Sequence, residues 1–216
     1  MPAFTRTSGR RRTTILAVSL LMLASSACGS DSSTTPSPSL TASARTYTSH
    51  AFSIPLIATL PDDLKVEADP DSATLLSWDS NLAENNKVRF VLPVNVYKPK
   101  QLKPAAPPQD YLTYLRGLTA QGVTLTDEVT TTVDGHNATV MTGDAAGPLD
   151  GVLGCPEANM PADDCFGLQP DLTLRIAVID VSGKTLLAWA RAEKGAVDVA
   201  TFFTEFETML KGVKFT

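Results

Sequence analysis

The sequence predicts an α+β domain over residues 46–216, an antiparallel β-sheet of about six to eight strands covered by two amphipathic helices. Three observations lead there. Apolar and polar residues alternate in several short runs, the longest at residues 88–96 and 172–178. Two glycine-bearing turns, Asp134-Gly135-His136-Asn137 and Ser182-Gly183-Lys184, each join a pair of such runs as a hairpin. Two segments, beginning near Tyr111 and Val199, instead repeat their apolar residues at helical spacing.

Residues 1–27 read as a signal peptide. Arg10-Arg11-Arg12 is its basic start, and residues 15–27 form an apolar stretch shorter than the roughly 20 residues of a membrane-crossing helix. Ser25-Ser26-Ala27 supplies the small side chains a signal peptidase needs before Cys28. The segment resembles a bacterial lipobox, with Ser25 where an aliphatic residue is usual. On this reading a lipid on Cys28 holds an exported protein to the outer face of the bacterial cell membrane. An ordinary signal peptide cut near Ala27, or an uncleaved anchor, is the alternative. Sec export fits better than twin-arginine export, because Thr13-Thr14 stands where that motif carries bulky apolar residues. Residues 28–45 are rich in Ser, Thr and Pro and hold no aromatic residue, which predicts a disordered tether.

Composition narrows the partners. Hydrophobic residues make up 43% of the chain, enough for a packed core. All charges before Cys28 are arginines, so the remainder carries 14 basic against 23 acidic side chains, a formal −9. Such a surface repels polyphosphate, which argues against nucleic acid, and it disfavours adsorption to anionic headgroups by charge alone.

The elements follow in order. Phe52, Ile54 and Leu56 alternate, Pro61-Asp62-Asp63 turns the chain, and residues 73–78 are a short apolar run. Within residues 88–96, Pro93 cannot donate to a ladder, which predicts an edge strand or a bulge. A Pro-rich break at residues 104–108 leads into the first helix. Pro107 and Pro108 suit its start, Asp110 its first turn, and Gly122 its stop, with Tyr111, Leu112, Tyr114, Leu115 and Leu118 on the stripe. Strands at residues 123–133 and 138–144 come next. Leu186-Leu187-Ala188-Trp189-Ala190 is apolar on both faces and is therefore predicted to be central. Asp198 is placed to cap the last helix, whose stripe of Val199, Phe202, Phe203, Phe206, Met209, Leu210 and Val213 closes at Gly212.

With Cys28 assigned to a lipid, Cys155 and Cys165 remain, and in an oxidising compartment they read as one disulfide. Closing so short a loop is worth on the order of 3 kcal/mol in the chain-entropy model. A metal site of these cysteines with Asp163 and Asp164 is the rival, but no histidine is near and the spacing fits no zinc pattern. The long irregular segment at residues 145–170 that the bridge staples is the predicted recognition surface, with Asp163 and Asp164 as candidate binding residues. Trp78, Tyr97, Tyr111 and Tyr114 flank the Pro-rich break; they either line an apolar cleft between helix and sheet or pack the core.

No catalytic constellation emerges. Only His50 and His136 could serve as a base, no Gly-x-Ser-x-Gly elbow occurs, and the acidic pairs lack EF-hand spacing. Phosphate-loop and dinucleotide signatures are missing too, so neither catalysis nor a cofactor nor a metal is expected.

The order of the pieces does resemble a known arrangement. Ala-Phe-Ser-Ile-Pro at 51–55 precedes a Leu-Pro-Asp-Asp turn at 60–63, and Gln-Asp-Tyr-Leu at 109–112 leads to Val-Asp-Gly-His-Asn-Ala at 133–138. Ser-Gly-Lys at 182–184 then precedes a Phe-rich helix ending in Val-Lys-Phe at 213–215. This resembles the PsbP/Mog1-like fold and, among lipoproteins, the LpqN/LpqT type. The resemblance implies a non-enzymatic accessory or binding module of the cell envelope and carries over no catalytic residues. The expectation is a lipoprotein whose domain interacts with another envelope protein. A carrier of a lipid or other apolar molecule is the alternative, and an envelope hydrolase the third.

Overall fold

Two tight turns set the register of the central sheet. Asp134 and Gly135 have φ of 48° and 81°, and Ser182 and Gly183 have φ of 54° and 81°. Positive φ at both central residues is the turn geometry whose twist matches that of paired strands. The first turn is therefore two residues long, with His136 already paired to Val133.

The computed structural model describes residues 45–81, 83–196 and 198–216. The signal peptide, Cys28 and all of the tether but Arg45 lie outside them. In chain order the elements are β1 (Arg45–Thr48), β2 (Leu56–Leu60), β3 (Leu75–Asp79), β4 (Lys87–Val91), α1 (Tyr111–Gly117), β5 (Val123–Val133) and β6 (His136–Ala145). There follow β7 (Leu149–Gly154), β8 (Phe166–Leu168), β9 (Leu172–Val181), β10 (Lys184–Glu193), α2 (Val199–Gly212) and β11 (Lys214–Phe215). Six strands form an antiparallel sheet in the order β3-β4-β10-β9-β6-β5. A smaller sheet runs β1-β2-β11, and β7 pairs with β8. The fold is thus mainly antiparallel β with two helices.

The helices lie on opposite faces of the six-stranded sheet, where the sequence pattern leads one to expect a single inner face. The cause is in β9 and β10, whose side chains are buried on both sides. Leu174, Ile176, Leu187 and Trp189 pack with Tyr111, Leu115 and Leu118 of the α1 segment. Ala177, Ile179, Ala188 and Ala190 pack with Phe202, Phe206 and Met209 of α2 and with Leu56 and Ala58 of β2. Each large side chain so buried contributes about 1.5–3 kcal/mol. The central position expected for residues 186–190 holds: β10 lies between β4 and β9.

Two local expectations are corrected. The run at residues 88–96 is not an edge strand, because β4 is interior and stops at Val91 before Pro93. Beyond it Val96 bridges to Ala105. The cap expected from Asp198 is also missing, since its side chain makes no capping bond. Asp110 does that work at α1 from the N-cap position, accepting from the Thr113 N–H at 2.9 Å.

α2 is clamped to the sheet by a buried arginine. Arg175 Nε donates to Glu207 at 2.7 Å, and Nη1 donates to the Asp127 carbonyl at 2.9 Å and the Thr142 hydroxyl at 3.1 Å. A β-bulge between Thr126 and Val129 breaks the ladder near that carbonyl.

Candidate functional site

Cys155 and Cys165 form a disulfide across ten positions of sequence. The segment it closes is docked on the chain after β4 by backbone bonds: Val94 N–H to the Cys155 carbonyl at 2.9 Å, Cys155 N–H to Asn95 at 2.9 Å, and Tyr97 N–H to Gly151 at 3.0 Å. Glycine makes this approach feasible. Gly154 has φ of 112°, and a Cβ there would sit 2.7 Å from Pro93. Val152, Leu153 and Leu168 are buried, so much of residues 145–170 is core cover rather than the irregular recognition loop expected. What stays exposed is the tip between the cysteines: Glu157, Ala158, Asn159, Pro161, Asp163 and Asp164. The Tyr97 hydroxyl holds that tip by donating to the Met160 carbonyl at 2.9 Å.

The four aromatic candidates do not line one cleft. Trp78 is fully buried on the α2 side, edge-to-face with Tyr47 at 5.2 Å and Phe90 at 5.7 Å. Tyr97 packs against the disulfide. Tyr111 and Tyr114 meet edge-to-face at 5.8 Å on α1, their hydroxyls buried and without a partner among the described residues. Burial pushes the Tyr114 hydroxyl up to about 12 and raises that of Tyr111 as well. Tyr111 reaches an open cleft of about 440 Å³ shared with Pro93, Pro107, Pro108 and Lys184.

Beside the stapled tip lies a smaller pocket of about 170 Å³ that sequence reasoning misses. Arg89, Arg191, Phe166, Trp189, Asp163 and Cys165 line it. Arg89 on β4 pairs in register with Trp189 on β10, and Arg191 pairs with Lys87, so the two arginines are diagonal neighbours on one face. The Arg89 guanidinium sits 4.9 Å from the centre of the Phe166 ring, a cation–π contact. Phe166 in turn meets Trp189 edge-to-face at 5.2 Å. Arg191 Nε donates to the Asn85 carbonyl at 3.2 Å.

Among the described residues neither arginine has an ion pair; Asp79, the nearby acid, pairs with Lys65 and Lys87. Burial, and after it the charge of Arg191, brings the Arg89 guanidinium down to about 10. Burial lowers Arg191 too, against the pull of Asp171 and Asp79. Both stay cationic at neutral pH. In sequence, Arg89 reads only as the polar half of an alternating strand, and Arg191 directly follows a run that is apolar on both faces. The available signal was β10, whose neighbours are apolar on both faces.

A cavity of about 470 Å³ is acidic, with Asp63, Glu84, Glu193, Asp198 and Glu205 on its walls. Burial, then Asp63 and Asp62, raise the Glu205 carboxyl. No group of three or more His, Cys, Asp or Glu among the described residues is placed to hold a metal. None of the described helices is long and apolar enough to cross a membrane. His136 lies 3.2 Å from the Asp180 carbonyl and against Phe215, and His50 against Tyr47.

No family model matches the chain, and no curated protein matches it. Among solved structures it is similar to the cyanobacterial PsbP of Synechocystis, at 12% identity and a TM-score of 0.43, over 83% of this chain and 98% of that one. A crystal structure from Bacteroides thetaiotaomicron is similar at 7% identity and a TM-score of 0.42, over 80% of this chain and 48% of the other, so the chain spans about half of that protein. Likeness this distant carries no argument about a ligand or a partner.

Proposed function

We propose that the chain is an exported lipoprotein of the LpqN/LpqT type with a PsbP/Mog1-like domain, anchored through Cys28 to the outer face of the bacterial cell membrane. Its domain is a non-enzymatic binding module for another envelope protein. The observation that carries the reading is the stapled tip. The disulfide, the Tyr97–Met160 bond and the ladder to residues 94–97 fix its shape before any partner arrives. Ordering a recognition loop in advance removes an entropic cost of association. The tip is also polar and exposed, with Asp163 and Asp164 at its surface, which suits a non-obligate contact.

The test places a photo-crosslinking residue at Asn159 of the full chain in its native envelope. A specific protein adduct, lost when residues 157–164 are replaced by a Gly/Ser segment, is expected. Adducts with no envelope protein, or adducts indifferent to that replacement, overturn the reading. Intact mass of the same protein tests acylation of Cys28.

A carrier function is the second reading, supported by the open cleft at Tyr111 and the unpartnered hydroxyls beside it. Native mass spectrometry decides it: stoichiometric bound lipid places the carrier first, and an empty domain removes it.

A further inference from the structure

The pocket between Arg89 and Arg191 holds two positive charges that, among the described residues, are in no direct ion pair, with Asp163 on its wall and Asp79 and Asp171 acting only at longer range. A guanidinium carries five N–H donors and no acceptor. Among the described residues Arg89 bonds none of its donors, and Arg191 uses one, toward Asn85. Yet each has a contact that holds it. Phe166 fixes the plane of Arg89 from one side, and the Asn85 carbonyl fixes Arg191. Like charges placed diagonally on one sheet face repel, and partial burial weakens the solvent that would screen them. A dianion seated between them removes that repulsion and satisfies the free donors.

We propose that this pocket is an oxyanion site for a phosphate monoester group, carried either on a lipid headgroup or on a soluble molecule. The inference does not depend on a protein partner docking at the tip. Three features select this chemistry. A phosphate monoester carries about −1.5 to −2 charge at neutral pH and presents several acceptor oxygens to the free donors of two guanidiniums. Planar N–H forks match phosphate oxygens in pairs. The pocket's volume of about 170 Å³ equals roughly five or six water molecules at liquid density. It therefore admits the phosphate and the carbon beside it, with Phe166 as the apolar wall.

The surrounding charge makes the site selective. With 14 basic against 23 acidic side chains after Cys28, the surface as a whole disfavours anions, which sets this doubly cationic pocket apart from its surroundings. Asp163 stands on the pocket wall as a competing carboxylate. Removing it strengthens binding.

The experiment titrates inorganic phosphate into the unacylated full chain (Cys28→Ser), reading heat and the arginine Nε–H NMR resonances. The resonances of Arg89 and Arg191 are expected to shift together, a readout that needs no variant. Arg89→Met, which keeps the stem against Phe166, and Arg191→Gln each weaken binding about ten-fold or more, and Asp163→Asn tightens it about three-fold. Near-ultraviolet circular dichroism of Trp189 checks that each variant is folded. Phosphate that leaves both arginine resonances unmoved, or that binds equally well in both folded variants, overturns the site. Phosphatidylcholine vesicles with and without phosphatidic acid identify the source. Variant-sensitive capture by phosphatidic acid assigns a lipid headgroup, and a response to dissolved phosphate alone assigns a soluble ester.

Discussion

The two faces of the six-stranded sheet are built on opposite plans. Toward α2 the inner strands carry several small side chains, while the large Trp78 and Phe90 come from β3 and β4. Ala138, Ala177, Ala188, Ala190 and Ala192 leave room for Phe202, Phe206 and Met209 from a fourteen-residue helix. Toward α1 the sheet side chains are large, with Met141, Leu174, Ile176, Leu187 and Trp189, and the cover is a seven-residue helix plus a strand pair stapled by the disulfide. Buried cations obey the same division. Arg175 on the α2 side has an acid, a carbonyl and a hydroxyl around it, while Arg89 on the other side has an aromatic ring and a second cation. A face whose volume is filled by one long helix serves stability. A face covered in pieces leaves gaps between them, and gaps lined by unspent donors are where ligands are held.

If the α2 face bears the stability, truncation there is the largest effect available. Phe206 is fully buried, and Phe206→Ala is expected to lose about 4 kcal/mol, read as a fall in the urea midpoint at unchanged slope. Leu115→Ala on the short helix α1 should lose less, because the pieced cover it belongs to relaxes into the space. An equal loss from both would erase the comparison. Next in size is the staple. Replacing Cys155 and Cys165 by serine should remove about 3 kcal/mol and speed amide exchange in residues 149–168 well before α2. Exchange that accelerates evenly over the whole domain would show that the loop is not a separate layer.

The paired arginines sharpen the contrast further. Arg175→Met should cost about 2 kcal/mol, because the Asp127 carbonyl and Thr142 hydroxyl lose their donor, while the half-exposed Glu207 is rescued by water. Arg89→Met should cost less than about 1 kcal/mol, since it gives up the cation–π contact with Phe166 but leaves no hydrogen-bonding group or ion unpaired and relieves repulsion with Arg191. A large loss at Arg89 would make it a structural group, and the pocket argument would lose its basis.

What sequence made legible was local. Glycine at 135 and 183 marks turns that need positive φ, and alternation marks the strands between them. The apolar run at residues 186–190 already carried the message that both sheet faces are covered. Its small residues, Ala188 and Ala190, alternate with the large Leu187 and Trp189, as the two plans require. Which helix takes which face is a property of chain crossing, absent from any local pattern. The glycines at 147–154 suggest a loose loop, but here glycine permits close packing, as at Pro93. Arg89 and Arg191 meet only because β4 and β10, far apart in sequence, are neighbours in the sheet. Alternation alone assigns Arg89 to solvent.

Two tyrosines give the finest test of the comparison. The Tyr47 hydroxyl, on the α2 side, donates to Asp71 at 2.5 Å; that of Tyr111 donates to nothing among the described residues. Burial works to raise the Asp71 carboxyl, but Tyr47 and the N–H groups of His50 and Ala51 together hold it below its ordinary value of 3.8. A depressed folded value means stability that is present above the unfolded value and lost as pH falls through the folded one. Acid should therefore weaken the domain below about pH 4. Tyr47→Phe should cost about 1 kcal/mol at pH 7 and flatten that acid limb, because the carboxylate loses its nearest donor. Tyr111→Phe should leave the acid limb unchanged and cost nothing, since it deletes a buried hydroxyl that has no bond to lose. Urea unfolding at pH 3 and pH 7 reads both variants. A destabilised Tyr111→Phe would mean that its hydroxyl is satisfied after all, and the α1 side would have to be regarded as no less complete than the α2 side.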